Sequence, residues 1–335
     1  MKKYNELVIN LGLMNQEHDG GPEPRPGVFP AKWRTVYEEV LPELELDWLA
    51  STETTYSQTR ADASQEEKEA AERRWQAAQH ELGMKGFRGG MGFGRNPVAS
   101  FARESTFTIG PQYHQYGHRT PPANVVLGLP EVPGARIITA AFHSASCSIP
   151  RRRGEAYELS ALLDKIKAQH GVEPGLERAA CWMFGDTNSY PLFVGDEWVT
   201  PIDWTSPEVI DLPHRLHRAE KQPDGTWKSD TFLDEFMHEA GMHDPARYAA
   251  RYLGQRDALT STAGFARIGQ GGPSRIDRGY MDAWSVQAVL DVRVIDMTGL
   301  SDHHLLVVTL SRRKFAEGLR RSFAPLKPWH LAQAA

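Results

Sequence analysis

Residues 184–191, Phe184-Gly185-Asp186-Thr187-Asn188-Ser189-Tyr190-Pro191, decide how the chain is read. Ahead of them runs Cys181-Trp182-Met183-Phe184, a short apolar run that reads as a buried strand, and Pro191 ends any regular extension. Asp186 and Asn188 therefore fall at a strand end, and a period of two puts both on one face. A carboxylate and an amide pointing the same way can orient a water and grip a phosphoryl oxygen. The same residues also make a plain Asx-turn with no chemistry attached, so the motif needs support from elsewhere in the chain.

Upstream, residues 136–142 read as a strand ending at His143. A helix over 155–169, with Leu159, Leu162, Leu163 and Ile166 inward, crosses from there to the 181 strand. Residues 97–101, 106–109 and 124–129 add further strands separated by Pro and Gly. At the start of the chain, residues 7–14 form an apolar run that breaks into Asn15-Gln16-Glu17-His18-Asp19-Gly20-Gly21, a strand end followed by a turn. Asn10 competes with Asn15 as the amide of that strand, and the polar run after Asn15 favours the latter. Trp33, Val36, Tyr37, Val40, Leu41 and Leu44 follow at helical spacing, and residues 46–51 form a short strand that delivers Glu53. A solvent-facing helix spans 62–82. Toward the end, Arg275-Ile276-Asp277 and Ser301-Asp302-His303 each stand beside extended segments, the second entering a strand over 305–310.

The chain has 335 residues, 40% hydrophobic and 24% charged, with a net charge of −5. That is enough to bury a substantial core, and it supplies no global basic field, so nucleic acid would have to be held through a local patch or a bridging cation. Two cysteines, Cys147 and Cys181, make no disulfide framework, and no signal peptide or membrane-spanning run is evident, so a reduced, cytoplasmic protein is expected.

Acidic and amide residues thus recur at strand ends along the whole chain, joined by His143 and His303. A set rich in carboxylates and free of cysteine suits a hard cation such as Mg²⁺ or Mn²⁺ better than zinc. The order of the motifs resembles that of the endonuclease/exonuclease/phosphatase superfamily. The resemblance is carried by Asn15-Gln16-Glu17, Glu53, His143, Gly185-Asp186-Thr187-Asn188, Arg275-Ile276-Asp277 and Ser301-Asp302-His303, and covers nearly the full chain. Arg278 departs from it, standing where an aromatic is frequent.

What the resemblance implies is an α/β fold of the DNase I-like kind. This is a four-layer α/β/β/α sandwich of two packed mixed sheets, built as one domain over 1–335 with insertions at about 57–95 and 192–272. It further implies a Mg²⁺ or Mn²⁺ held by Glu53, Asn15, Glu17 and Asp302. Asp186 would act on the attacking water, Asn188 and His143 would contact the phosphate, and His303, oriented by Asp277, would contact a non-bridging oxygen. The implied activity is metal-dependent hydrolysis of a phosphodiester, first of all a nuclease's, by in-line attack of water. A phosphatase or phosphodiesterase acting on a small nucleotide, lipid head group or metabolite is the alternative within the fold, and a catalytically silent binding module is the alternative outside catalysis.

Other patterns weigh less. His238 and His243 imitate a zinc-protease motif, but at five residues apart they are 500° around a helix rather than near 400°. Arg151-Arg152-Arg153 reads as a solvated charge run with a phosphate contact as the lesser option. The Gly-rich stretch 86–94 lacks a P-loop's closing residues, and its functional reading is a flap on the substrate side. Tyr113, His114, Tyr116, His118 and Arg119 read as an exposed aromatic and basic loop, equally a clamp that stacks on a substrate group and plain surface decoration.

Overall fold

A computed structural model describes residues 7–167, 179–192 and 201–320. The chain begins with β1 (Val8–Asn15), the short helix α1 (Ala31–Arg34) with a wider π-type turn over 35–40, and β2 (Trp48–Thr52). Helix α2 (Gln65–Leu82), β3 (Lys85–Arg88), β4 (Ala99–Ala102), β5 (Thr108–Tyr113), β6 (Ala123–Gly128) and β7 (Arg136–His143) come next. After α3 (Ile149–Lys167) and β8 (Ala179–Asp186) lie α4 (Leu212–Arg218), the hairpin β9 (Ala219–Lys221) and β10 (Trp227–Ser229), α5 (Phe232–Glu239) and α6 (Pro245–Tyr252). The chain closes with β11 (Asp277–Met281), α7 (Ala283–Val286), β12 (Val289–Ile295), β13 (Leu305–Ser311) and α8 (Arg312–Leu319).

Two mixed sheets result, of order β12-β13-β1-β2-β4-β3 and β11-β8-β7-β6-β5. The alternation of side chains explains why they stack. In β8, Trp182 and Phe184 point into the space between the sheets while Cys181 and Met183 point to the helical layer outside. In β2, Trp48 and Ala50 face Trp182 and Phe184, and Leu49 faces the opposite helical layer. Trp48 meets the Phe184 ring edge-on with centroids 5.4 Å apart, so large aromatic rings join the sheets at their centre. Leu159, Leu162 and Leu163 of α3 pack on the outer face of the second sheet, and Trp33, Tyr37, Trp75 and Leu82 on that of the first. The layers are therefore the expected α/β/β/α.

Helix α2 starts on a capping box in which Ser64 and Glu67 satisfy each other's backbone N–H, and Gly83 ends it in the left-handed region. Its buried stripe is Ala71, Trp75, Ala78 and Leu82, joined by a buried Arg74 that donates to the Asp19 and Gly21 carbonyls, and its other charged residues lie outside that stripe. The Gly-rich stretch beside it is not a flap. Gly86 lies within β3, where a Cβ would stand 2.4 Å from the Trp75 ring, and residues 89–94 run against the backbone of 119–123. The glycines there allow close packing. Two more expectations fail on burial: Arg152 is 1% exposed and pairs with Asp230 at 2.7 Å, and His118 is 7% exposed.

Helix α5 sends Leu233 and Met237 into the layer that holds α3, and Ala246 and Ala249 of α6 join the core between the sheets. Trp204, Val209, Ala219, Ala263 and Ile276 form a separate small cluster around Tyr190. Within 192–272, residues 193–200 lie outside the described residues, as do the helix end at Gln169 and the side chain of Ile166.

Candidate active site

Register decides which side chains meet. β7 and β8 are parallel with His143 opposite Asp186, and β8 and β11 are antiparallel with Asp186 opposite Asp277. His143, Asp186 and Asp277 therefore stand in one row across three strands. In the other sheet β1 and β2 are parallel with Asn15 opposite Thr52, so Asn15 and Glu53 leave that sheet at the same edge. Gly185 permits the tight spacing of the row, because a Cβ there would lie 2.0 Å from the Phe142 carbonyl oxygen.

The two sheets meet at His143. Its Nε2 is 3.6 Å from Glu53 Oε1 and 3.6 Å from Asp186 Oδ2. Burial works to lower the His143 pKa, but contact with Glu53 and the charge of Asp186 outweigh it and the pKa is raised. Burial works the other way on Glu53, where His143 and the His18 backbone N–H outweigh it and hold the carboxyl at about 2. Glu53 sits at φ 59° and Asn188 at φ 49°, left-handed backbone that for a glutamate is uncommon and is held by its surroundings. His18 donates its backbone N–H to Glu53 Oε2 at 3.0 Å.

Asp186 Oδ1 accepts the Asn188 backbone N–H at 2.8 Å, and Asn15 Nδ2 donates to Asp186 Oδ2 at 3.5 Å. Asn188 Nδ2 donates to the Ser144 carbonyl at 2.9 Å. His303 Nδ1 is hydrogen-bonded to Asp277 Oδ2 at 2.7 Å. Burial would lower the His303 pKa, yet the Asp277 carboxylate, with Asp186 and Asp302 behind it, raises it to about 10. Ser301 ties this arm to the first sheet, its hydroxyl donating to the Asn15 carbonyl at 2.6 Å and accepting the His303 N–H at 3.1 Å. Asn10 lies elsewhere, its amide directed at the Leu44 and Glu45 carbonyls.

Asp302 is half-buried, and burial together with the negative charges of Glu17 and Glu53 raises its carboxyl. The ligand oxygens of Glu17, Glu53 and Asp302 do not come together within 4.8 Å, and Glu17 reaches outward to Lys32 at 3.4 Å. All three offer only oxygen ligands, the donor type a hard divalent cation prefers. Among the described residues it is Asp186, Asp277 and His303 that bring ligand-type atoms within 4.8 Å of one another. The short His303–Asp277 hydrogen bond occupies His303 Nδ1 and one oxygen of Asp277 in that group.

The cleft over these residues has a volume of ≈ 330 Å³ and is walled on one side by Tyr190, His214, Arg218, Arg267 and Gln270. A larger hollow of ≈ 820 Å³ lies beyond Thr55 and Arg95 and contains none of the acid–histidine set. Several contributors carry no local sequence signal. Thr262 accepts with its backbone carbonyl the N–H of His304 at 2.7 Å and with its hydroxyl the N–H of Asp277 at 3.0 Å, and Ala263 bridges to both Ser274 and His303. Arg278 lies fully buried under the Asp186 loop and donates to Thr187 Oγ1 at 2.9 Å and Ser189 Oγ at 3.0 Å. Its departure from the aromatic of the resembling family is thus a buried guanidinium holding that loop, near the Asp234 carboxylate of α5. A basic residue directly after Asp277 in an otherwise apolar strand is the one signal that pointed to it.

No family model and no curated relative matches the sequence. Solved structures do match in fold. An endonuclease/exonuclease/phosphatase from Bacteroides vulgatus superposes with a TM-score of 0.53 at 15% identity, over 91% of this chain and 99% of that one. Truncated TDP2 from Caenorhabditis elegans gives 0.52 at 12% identity over 91% and 97%, and a 3'-5' exonuclease from Neisseria meningitidis 0.53 at 14% over 90% and 100%. The chain has the two-sheet, DNase I-like fold of these proteins. No helix among the described residues is long and apolar enough to cross a membrane.

Proposed function

We propose that the protein is a divalent-metal-dependent phosphoester hydrolase that cleaves a phosphodiester by in-line attack of water. The observation that carries this is the convergence on His143: Glu53 from one sheet and Asp186 from the other lie equally close to its Nε2, with the Asp277–His303 pair beside them. Glu53, Asp302 and Glu17, with the Asn15 amide, would hold Mg²⁺ or Mn²⁺, which when bound supplies charge neutralisation at the phosphate and at the leaving oxygen. Asp186 acts on the water. Its Oδ1 is fixed by the Asn188 N–H, and Oδ2, which takes only a long 3.5 Å hydrogen bond from the Asn15 amide, accepts the proton. Asn188 and His143 receive phosphoryl oxygens, and His303, kept protonated by Asp277, donates to the oxygen on which charge accumulates.

A second reading, a phosphomonoesterase acting on a small molecule, is favoured by the confined cleft and its wall from residues 204–230 and 263–274. Proteins of this fold include both a 3'-5' exonuclease and a mannosyl-6-phosphatase from Bacteroides thetaiotaomicron, so fold does not choose between them. Turnover assayed with Mg²⁺ or Mn²⁺ on plasmid DNA, single strands, RNA, small phosphodiesters and sugar or nucleotide monophosphates tests both. The expected result is metal-dependent hydrolysis of at least one class, abolished by chelation. Absence of hydrolysis on every class overturns the proposal.

A further inference from the structure

Arg218, the last residue of α4, opens onto the cleft and is 8% exposed. Its Nη2 donates to Asn188 Oδ1 at 2.6 Å and its Nη1 to the Asn188 carbonyl. Its Nε is buried without a partner, and no carboxylate among the described residues stands at ion-pair distance. The nearby charges do not compensate it. Arg152 is a second buried guanidinium close by, and the single carboxylate of this cluster, Asp230, is bonded to Arg152. Burial and Arg218 itself hold His214 at a pKa of about 4, so that side chain is neutral at neutral pH. Arg152 and Arg218 are thus two buried cations sharing one bonded anion, and although Glu53, Asp186 and Asp302 also line the cleft, none of them stands at ion-pair distance from Arg218. A buried charge left unpaired is costly, and proteins rarely keep one without a ligand of opposite sign.

We propose that Arg218 is the anion receptor of the cleft. The missing negative charge is a phosphoryl group, which Arg218 binds alongside the Asn188 amide that it orients. This rests on the phosphoester reading above and adds to it a recognition residue supplied by the inserted segment rather than by the strand-end set. Asn188 is positioned from two sides, with Nδ2 on Ser144 and Oδ1 on Arg218. That arrangement leaves one amide N–H for the same phosphate.

The test uses the full chain and inorganic phosphate as the probe, without metal. Phosphate should raise the melting temperature of the wild type in a dose-dependent manner, as a ligand of the native state does. Arg218→Gln, folded by near-UV circular dichroism, should weaken phosphate binding at least ten-fold, and should raise KM for any hydrolysed ester more than it lowers kcat. Arg218→Lys keeps the charge but not the two-pronged hold on Asn188, so it should weaken phosphate several-fold. If Arg218→Gln does not fold, the lysine variant decides. A phosphate response unchanged from wild type in the folded variant overturns the inference, even if hydrolysis is found. Phosphate binding that depends on Arg218 without hydrolysis of any ester supports it and sinks the hydrolase reading instead.

Discussion

His143, the last residue of β7, stands 3.6 Å from Glu53, which leaves the opposite sheet just after β2. That contact crosses the gap between the sheets at the edge where the strand ends gather. Chemistry at this edge needs both sheets in place, and variants that keep the fold can be read for their effect on the site alone.

Asp186→Asn keeps the hydrogen bond from Asn188 but removes the basic oxygen. Turnover should fall by at least ~10²-fold with the melting temperature little changed. His303→Ala should cost ~10²- to 10³-fold, the usual effect of losing a donor to a developing oxyanion. Single-turnover rates at saturating metal check both, and near wild-type rates in the two variants would remove these residues from the mechanism.

Glu53→Gln retains size and loses charge at the residue proposed to hold the cation. Mg²⁺ or Mn²⁺ affinity measured by calorimetry should drop by at least ten-fold, on the order of 1.4 kcal/mol or more. An unchanged affinity would place the cation elsewhere. The Asp186, Asp277 and His303 group would be the next to examine.

His118 gives a pH dependence with a definite sign. Burial, aided by Arg151, depresses its pKa to about 4 from an ordinary 6.5. The unfolded chain therefore takes up a proton that the native state refuses. Stability from this group is complete above pH 6.5 and is lost as the pH falls toward 4. Between pH 7 and pH 5 the loss should be on the order of 2 kcal/mol. Urea unfolding at the two pH values should show it, and His118→Phe should flatten that slope.

Gly86→Ala should destabilise the fold by ~1–3 kcal/mol, because the added methyl meets the Trp75 ring. Gly154→Ala in α3 meets nothing within 4 Å and should stabilise by ~0.8–1 kcal/mol through helix propensity. Opposite shifts in denaturation midpoint are expected from the same chemical change. Equal shifts would contradict the packing assigned to β3.

The strand-end residues were legible because alternation and breakers are local signals. Asn15, Glu53, His143, Asp186, Asp277 and His303 were each placed by a few neighbours, and the choice of Asn15 over Asn10 followed from the polar run after it. Arg218 was hidden because its partner Asn188 is 30 residues away and its own surroundings read only as basic and polar. Arg152 reads in sequence as a solvated charge because its counter-ion, Asp230, is 78 residues distant. The glycines of 86–94 were ambiguous for a related reason. A missing side chain reads alike as freedom and as close contact until the opposing Trp75 is placed.

The bridge at Thr262 and Ala263 bears on how this protein could be re-engineered. The segment between β8 and β11 decorates one wall of the cleft, and a chimera that exchanged it for a relative's loop would seem a natural route to new substrates. Yet its returning end holds the backbone of both Asp277 and His304. Graft boundaries drawn after Ser274 would discard the brace of the acid–histidine pair along with the specificity wall. Boundaries that end before Thr262 would keep the brace, and an exchange of the wall from 204 to 230 would then have to retain Arg218, whose guanidinium holds Asn188.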